Sequence, residues 1–401
     1  MARPEASEWL GAMHSELASL DANGAYKLVP RPPGVKPLGS RWVFDLKHGP
    51  NGEILRYKAR FVAQGFTQVP GRDYMETFVP VARLESIRAV LAIAGVRGWL
   101  IRQTDVTTVY LQSRMDRDDV YVEQPRASPS EQVWNLVMSL YGLKQSAKNW
   151  HGTLQAFLIK QGFKPSEIDS CIFVRGSGKQ LLLLICYVDD LCLCGLDDAN
   201  VESMIQTLKE RFSTKDMGEA TFLLGMHIKQ DRKEHTLELG QRRYATDVLE
   251  HFNMERANPQ TLPGDFKDLS VEKGATLGVK EEKLDAAGVH LYRELVGSLM
   301  FLGRCTRPDL AFPVMTLARA MQSPGTAHMA MAKKVLRYLA GTVDLSVRYG
   351  AGEGMTLTGY TDTSFAGDVD GRRSTTGYVF FLGRADQLEL QTSVPRGTVY
   401  G

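Results

Sequence analysis

Apolar positions along the chain switch between two periods, and the switches mark its elements. Residues 5–20 place Trp9, Leu10, Met13, Leu17 and Leu20 at helical spacing. RWVFDLK (41–47) and EILRYKARFVA (53–63) read as two strands, and Asn51-Gly52 between them predicts a hairpin. Residues 84–95 predict a helix, and 99–106 a strand that closes near Asp105. Trp150, Leu154, Phe157 and Leu158 share one helical face within 147–161. CIFV (171–174) and the two halves of 181–195 predict three antiparallel strands. A helix at 199–212, strands near 221–229 and 235–239, and a helix at 241–252 follow. The polar, turn-rich stretch 255–290 reads as a linker. Helices are expected at 290–303, 308–322 and 327–340, then short strands from about 345. This mixture lacks a regular βαβ alternation and belongs to the α+β class.

One stretch breaks the pattern. LLLLICYVDDLCLCG (181–195) sets two adjacent carboxylates between apolar, strand-like runs. Desolvating a carboxylate is costly, and two neighbours repel. Either the pair sits at a solvated hairpin turn or a cation balances it.

Composition narrows the choice only partly. The chain has 401 residues, 43% hydrophobic and 23% charged, with a net charge of +2. That is enough for two or three ordinary globular domains, and too little charge to argue for or against nucleic acid. Cysteines 171, 186, 192, 194 and 305 form no CxxC pair and read as buried, reduced thiols. The N-terminus has acids early and no long apolar core, so no signal peptide is expected. No apolar run approaches the length of a membrane span. These features point to a cytoplasmic protein.

Asp105 closes one predicted strand, while Asp189 and Asp190 cap a hairpin. Three carboxylates without Cys or His suit a hard, oxygen-seeking cation such as Mg²⁺. Two such ions about 3.5–4 Å apart promote phosphoryl transfer. Asp is also common in turns, so on spacing alone a plain turn is the stronger reading.

YVDD between apolar strands resembles the signature hairpin of reverse transcriptases. The surrounding text resembles the copia-type retrotransposon branch. The stretches that carry the resemblance are 40–94, QTDVTTVYLQSRMDRDDVYVEQP (103–125), SLYGLKQSAKNW (139–150), KDMGEATFLLGMHI (215–228), YRELVGSLMFLGRCTRPDLAF (292–312) and KVLRYLAGT (334–342). TDTSFAGDVDGRRSTTGYVFFL (361–382) resembles the start of that family's ribonuclease H region. The resemblance implies a right-hand polymerase fold: fingers and palm over 1–265, thumb or connection helices over 266–345, and a partial ribonuclease H-like segment over 346–401. It implies RNA-directed DNA synthesis from dNTPs on an RNA or DNA template with a primer. For an intact element the setting would be a cytoplasmic virus-like particle.

The resemblance also assigns residues. Asp105, Asp189 and Asp190 would be the catalytic acids, holding two Mg²⁺ with the carbonyl of Val106. Tyr110 would stack under the incoming sugar and exclude a ribose 2′-OH, or else be a core aromatic. Lys47, Lys58 and Arg60 would hold the triphosphate, or else be a solvated basic face. Gln145 would lie near the nucleotide, and Gly142, Tyr187 and Val188 near the template and primer. Gly225 and Met226 would form the turn that grips the primer end. Several positions depart from the family pattern. Val109 replaces Ala and is expected to crowd the sugar pocket. Ser113 replaces Gly and is expected to strain a turn. Ala147 replaces Pro, Lys148 replaces Arg, and Thr363-Ser364-Phe365 replaces Ala-Asp-Trp. The alternatives are a catalytically eroded remnant that at most binds nucleic acid, and a host-adopted interaction module. Asp362 alone matches the ribonuclease H acids, so no ribonuclease H activity is expected.

Overall fold

The computed structural model describes residues 5–48, 53–125, 131–264, 282–350, 355–365 and 374–382. The chain forms two compact units, and it passes between them more than once. The first holds residues 1–83, 102–193 and 199–218; the second holds 84–101, 194–198 and 219–401. These boundaries differ from the expected division at 265 and 345. The reason is local packing: helix Leu84–Val96 and strand Ser346–Tyr349 both serve the second unit's sheet.

In the first unit, strands Ser40–His48 and Ile54–Ala63 pair antiparallel, with Trp42 opposite Phe61 and Asp45 opposite Lys58. The expected Asn51-Gly52 turn lies outside the described residues. Alternation along the ladder gives two faces. One carries Trp42, Phe44, Tyr57 and Phe61. Trp9 of helix Ala6–Ala22 meets Phe44 and Tyr57 edge-on, at 5.1 and 4.8 Å. The other carries Lys47, Arg56, Lys58 and Arg60.

A three-stranded sheet, in the order Tyr26–Pro30, Gln132–Leu136, Tyr121–Val122, adds Trp134 to the same core, where it meets Phe61 at 4.9 Å. None of these three strands is legible in the apolar pattern.

A six-stranded sheet carries the acids. Its order is Thr214–Glu219, Leu100–Val106, Asp190–Gly195, Leu182–Tyr187, Ile172–Arg175, Lys164–Pro165. Leu182 to Cys186 and Leu191 to Gly195 are buried without a break, as expected of strands covered on both faces. Helix Ser146–Lys160 buries Trp150, Leu154 and Leu158, and Trp150 and Phe157 both meet Phe212 edge-on.

The second unit has a four-stranded sheet, ordered Phe222–Leu223, Met226–Asp231, Thr236–Gly240, Ser346–Tyr349. Gly95 of helix Leu84–Val96 lies against it. A Cβ there would fall 2.4 Å from that of Leu237, so only glycine permits the approach. Helices Arg242–His251, Ala286–Cys305, Ala311–Arg319 and Thr326–Gly341 share one apolar core around Tyr292, Leu299, Val335 and Leu339. Strands Leu357–Ser364 and Thr375–Leu382 form a separate two-stranded ribbon. No helix among the described residues is long and apolar enough to cross a membrane.

Candidate active site

The two apolar strands at 182–187 and 190–195 leave a two-residue turn, Val188 and Asp189. Val188 adopts φ +57°, a left-handed conformation rare for a β-branched residue. Its position is fixed from the side: Trp150 Nε1 donates to the Val188 carbonyl at 2.7 Å. The end of strand Leu100–Val106 docks on the same turn, with Val106 N donating to the Asp189 carbonyl at 3.0 Å. Asp105, Asp189 and Asp190 are thereby gathered at one end of the sheet, each half-buried. Gln103 Nε2 donates to Asp190 Oδ1 at 3.2 Å.

Burial pushes the carboxyls of Asp105 and Asp190 above the usual carboxylate range. For Asp105 the nearby Asp189 adds to the rise, and Lys58 and Lys215 oppose it. For Asp190 the Gln103 hydrogen bond opposes burial, and Asp189 and Asp105 reinforce it. The acids therefore feel one another, and the nearby ammonium groups offset only part of their charge. An all-oxygen donor set with surplus negative charge fits a divalent cation such as Mg²⁺. Among the described residues no three Asp, Glu, His or Cys side chains stand in a ready-made ligating group. The carboxylates are neighbours rather than a closed cage.

Next to the acids, a single 3-10 turn, Val109–Gln112, carries Tyr110. Val109 and Leu111 are buried at 1% and 3% exposure, which fixes the turn. The added methyls of Val109 thus sit in the core, and the expected crowding of the sugar pocket does not arise. Nor does Ser113 strain its turn: its φ is −122°, and its Oγ donates to the Tyr110 carbonyl at 3.0 Å.

Tyr110 is half-buried and meets Tyr141 edge-to-face, with centroids 4.7 Å apart and planes at 67°. The Arg60 guanidinium lies over the Tyr141 ring, 5.0 Å from its centroid. Burial, opposed by Arg60 and reinforced by Asp189, pushes the Tyr141 phenol up to about 12. Arg60, Tyr141, Tyr110 and the acid turn therefore form one neighbourhood.

The three fingers cations divide within it. Lys58 is near the acids: burial first, then Arg60, Lys47 and Arg56, pull its ammonium down, and Asp105 opposes them. Arg60 shares its face and reaches Tyr141. Lys47 is exposed and paired with Asp45 at 2.7 Å.

Two expected contacts are corrected. Gln145 is fully buried. Its Oε1 accepts from Gln68 Nε2 at 3.0 Å, and its Nε2 donates to the Asp73 carbonyl at 3.2 Å. With both ends committed it positions the 64–73 loop and cannot face a nucleotide. Met226 is not at its turn: Leu224 and Gly225, both with positive φ, form it, and Met226 opens the next strand with no exposure. Gly225 stays at the turn, in the second unit. Gly142 has φ +91°, and a Cβ there would lie 2.1 Å from the Ala63 carbonyl oxygen. Tyr187 ends its strand half-buried. Asp362 is exposed on the two-stranded ribbon.

Sequence reasoning missed Tyr141, Trp150 as the turn's anchor, Gln103 and Lys215. The signal for Trp150 was present, since a buried indole N–H needs an acceptor. The others depend on long-range neighbours.

A family model described as reverse transcriptase (RNA-dependent DNA polymerase) matches residues 23–265. The Pol polyprotein from transposon TNT 1-94 of Nicotiana tabacum is 38% identical over 99% of this chain and 30% of its own length. The Pol polyprotein from transposon RE1 of Arabidopsis thaliana is 39% identical over 94% of this chain and 25% of its own. A transposon Ty5-1 protein of Saccharomyces cerevisiae is 30% identical over 70% of this chain and 89% of its own. The chain thus spans about a quarter to a third of the plant polyproteins. A solved foamy viral protease–reverse transcriptase in complex with double-stranded DNA aligns over 97% of this chain and 55% of its own, with 11% identity and a TM-score of 0.49.

Proposed function

Because the chain belongs to the reverse transcriptase family of copia-type retrotransposons, we propose that it adds dNTPs to a primer 3′-OH on an RNA or DNA template. The observation that carries this reading is the docking of the Asp105 strand on the Asp189 turn, which gathers three acids beside Tyr110, Lys58 and Arg60. Two divalent ions such as Mg²⁺, when held by Asp105, Asp189, Asp190 and the Val106 carbonyl, would supply the charge that activates the 3′-OH and stabilises the leaving pyrophosphate.

The chain's own residues do the rest. Trp150 and Val106 keep the acid turn rigid. Gln103 leaves one oxygen of Asp190 free. Lys58 and Arg60 receive the triphosphate, and Tyr110 faces the sugar, where a ribose 2′-OH would meet the ring. Tyr187 and Val188, beside the acid turn, lie along the path of template and primer.

The test is incorporation of dNTPs on a primed RNA template labelled in the RNA strand. Wild type extends the primer and leaves the RNA intact. Asp189→Asn stops extension while duplex binding persists. Undiminished extension by Asp189→Asn removes the metal assignment, and RNA cleavage by the wild type removes the polymerase-only reading.

A further inference from the structure

Tyr141 touches two groups that the polymerase reading assigns to the triphosphate and to the sugar of one nucleotide. Its ring carries the Arg60 guanidinium over one face, and it meets Tyr110 edge-to-face at 4.7 Å. Its backbone is tied to the hairpin. The Tyr141 carbonyl accepts from Ala63 N at 2.8 Å, which ties it to the base of the hairpin that carries Arg60. The next residue, Gly142, has positive φ and lies so near the Ala63 carbonyl that no side chain fits. Tyr141 is therefore a fixed ring. Tyr110 rides on a single 3-10 turn entered through Thr108 at φ +49°, and buried Val109 and Leu111 fix its backbone while its half-buried ring meets Tyr141.

Rejecting one hydroxyl requires the blocking ring to stand still, because a small displacement opens room for an oxygen. A fixed turn holds the Tyr110 backbone but does not set its side-chain torsions, and the edge-to-face partner supplies the ring's preferred distance and angle. Arg60 over the same aromatic face gains a cation–π contact that holds its long side chain in place.

We propose that Tyr141 is a positioning residue for nucleotide selection, holding Tyr110 at the sugar side and Arg60 at the phosphate side through one ring. The inference rests on the polymerase reading and deepens it, since it assigns sugar discrimination to a pair of rings rather than to Tyr110 alone.

The test uses the full chain on a template–primer ending in a dideoxynucleotide, so that binding is read without chemistry. Affinities for dTTP and UTP with Mg²⁺ are measured for wild type, Tyr141→Phe, Tyr141→Leu, Tyr110→Ala and the Tyr110→Ala/Tyr141→Leu double variant. Thermal melts confirm that each is folded. Tyr141→Leu fills the space but offers neither ring edge nor ring face. It is expected to raise UTP acceptance relative to dTTP by about 10-fold, and to weaken dTTP binding several-fold through Arg60. Tyr141→Phe restores the wild-type ratio. In the double variant the UTP:dTTP ratio equals that of Tyr110→Ala, because Tyr141 acts on the sugar through Tyr110. A folded Tyr141→Leu protein with the wild-type ratio and dTTP affinity overturns the inference alone. A wild type that forms no nucleotide-dependent complex on any template overturns the polymerase reading and this inference together.

Discussion

At the scale of single residues, the acid turn is a place where the fold accepts instability. Val188 holds a left-handed backbone that costs a non-glycine residue about 1–2 kcal/mol. Asp105 and Asp190 carry charge into a half-buried, mutually repelling cluster. Such strain persists only where surrounding contacts enforce it, here Trp150, Val106 and Gln103. The raised carboxyls have a consequence for stability. Burial lifts the folded pKa of Asp190 above its unfolded value, so the folded state binds the proton more tightly. Stability contributed by the neutral form is fully present below the unfolded value, about 4, and is lost as pH rises through the folded pKa. Asp190→Asn removes that loss and keeps an oxygen for Gln103 to donate to. Its melting temperature is expected to exceed wild type by a few degrees at pH 7, with the gap closing as pH falls below about 4. Melts of the metal-free protein from pH 3.5 to 8 read this directly. A variant less stable than wild type at pH 7 would mean that the charge is already well compensated.

At the scale of elements, the site depends on how the 139–146 turn locks onto the fingers hairpin. Ala63 N donates to the Tyr141 carbonyl, Gly142 packs backbone to backbone, and Gln145 reaches Asp73 and Gln68. Gly142→Ala forces a methyl into the Ala63 carbonyl at a φ that disfavours it. It is expected to cost about 3–5 kcal/mol or prevent folding, measured by urea unfolding. A loss under 1 kcal/mol would mean that the two turns can separate freely. This lock also shows which features a sequence carries. The YVDD hairpin was legible because two apolar runs flank the acids, and the helices were legible because their period persists over more than two turns. The strand Tyr26–Pro30 was not: it is short, ends in proline and pairs with residues more than a hundred positions away, such as Tyr26 with Leu136. Gln145 read as a ligand-facing amide because its partners, Gln68 and Asp73, are remote in sequence. Val109 read as pocket-lining because the resemblance sets it next to the gate ring, and a comparison of residue types does not say which side of a single 3-10 turn faces the core. Tyr141 stood within a quoted motif, yet only Arg60 and Tyr110, both distant in sequence, give it a role.

At the scale of the whole molecule, the two units share one interleaved chain, and this governs how it can be cut. The family model ends at residue 265. The second unit includes helix Leu84–Val96, which buries Ile87, Arg88, Val90 and Leu91. Arg88 donates to the Tyr349 hydroxyl at 3.3 Å and to the Arg304 carbonyl at 3.4 Å. Both acceptors lie beyond residue 265. So does strand Ser346–Tyr349, whose residues 346–349 pair with 237–240 and complete the sheet. Helix Arg242–His251 buries Ala245, Val248 and Leu249 against Tyr292, Leu295 and Val335. A fragment of residues 1–265 would therefore take the Arg88 guanidinium from two of its partners and expose an apolar helix face. Each is a recognised source of large destabilisation. A fragment of residues 1–350 keeps all of these contacts and, among the described residues, omits 355–365 and 374–382, whose two-stranded ribbon contributes to no other sheet. The 1–265 fragment is expected to bind the dye ANS strongly and to elute as aggregate on gel filtration. The 1–350 fragment is expected to melt cooperatively within a few degrees of the full chain. A monomeric 1–265 fragment with the full chain's melting temperature would show that the first 265 residues fold without the later helices and strand.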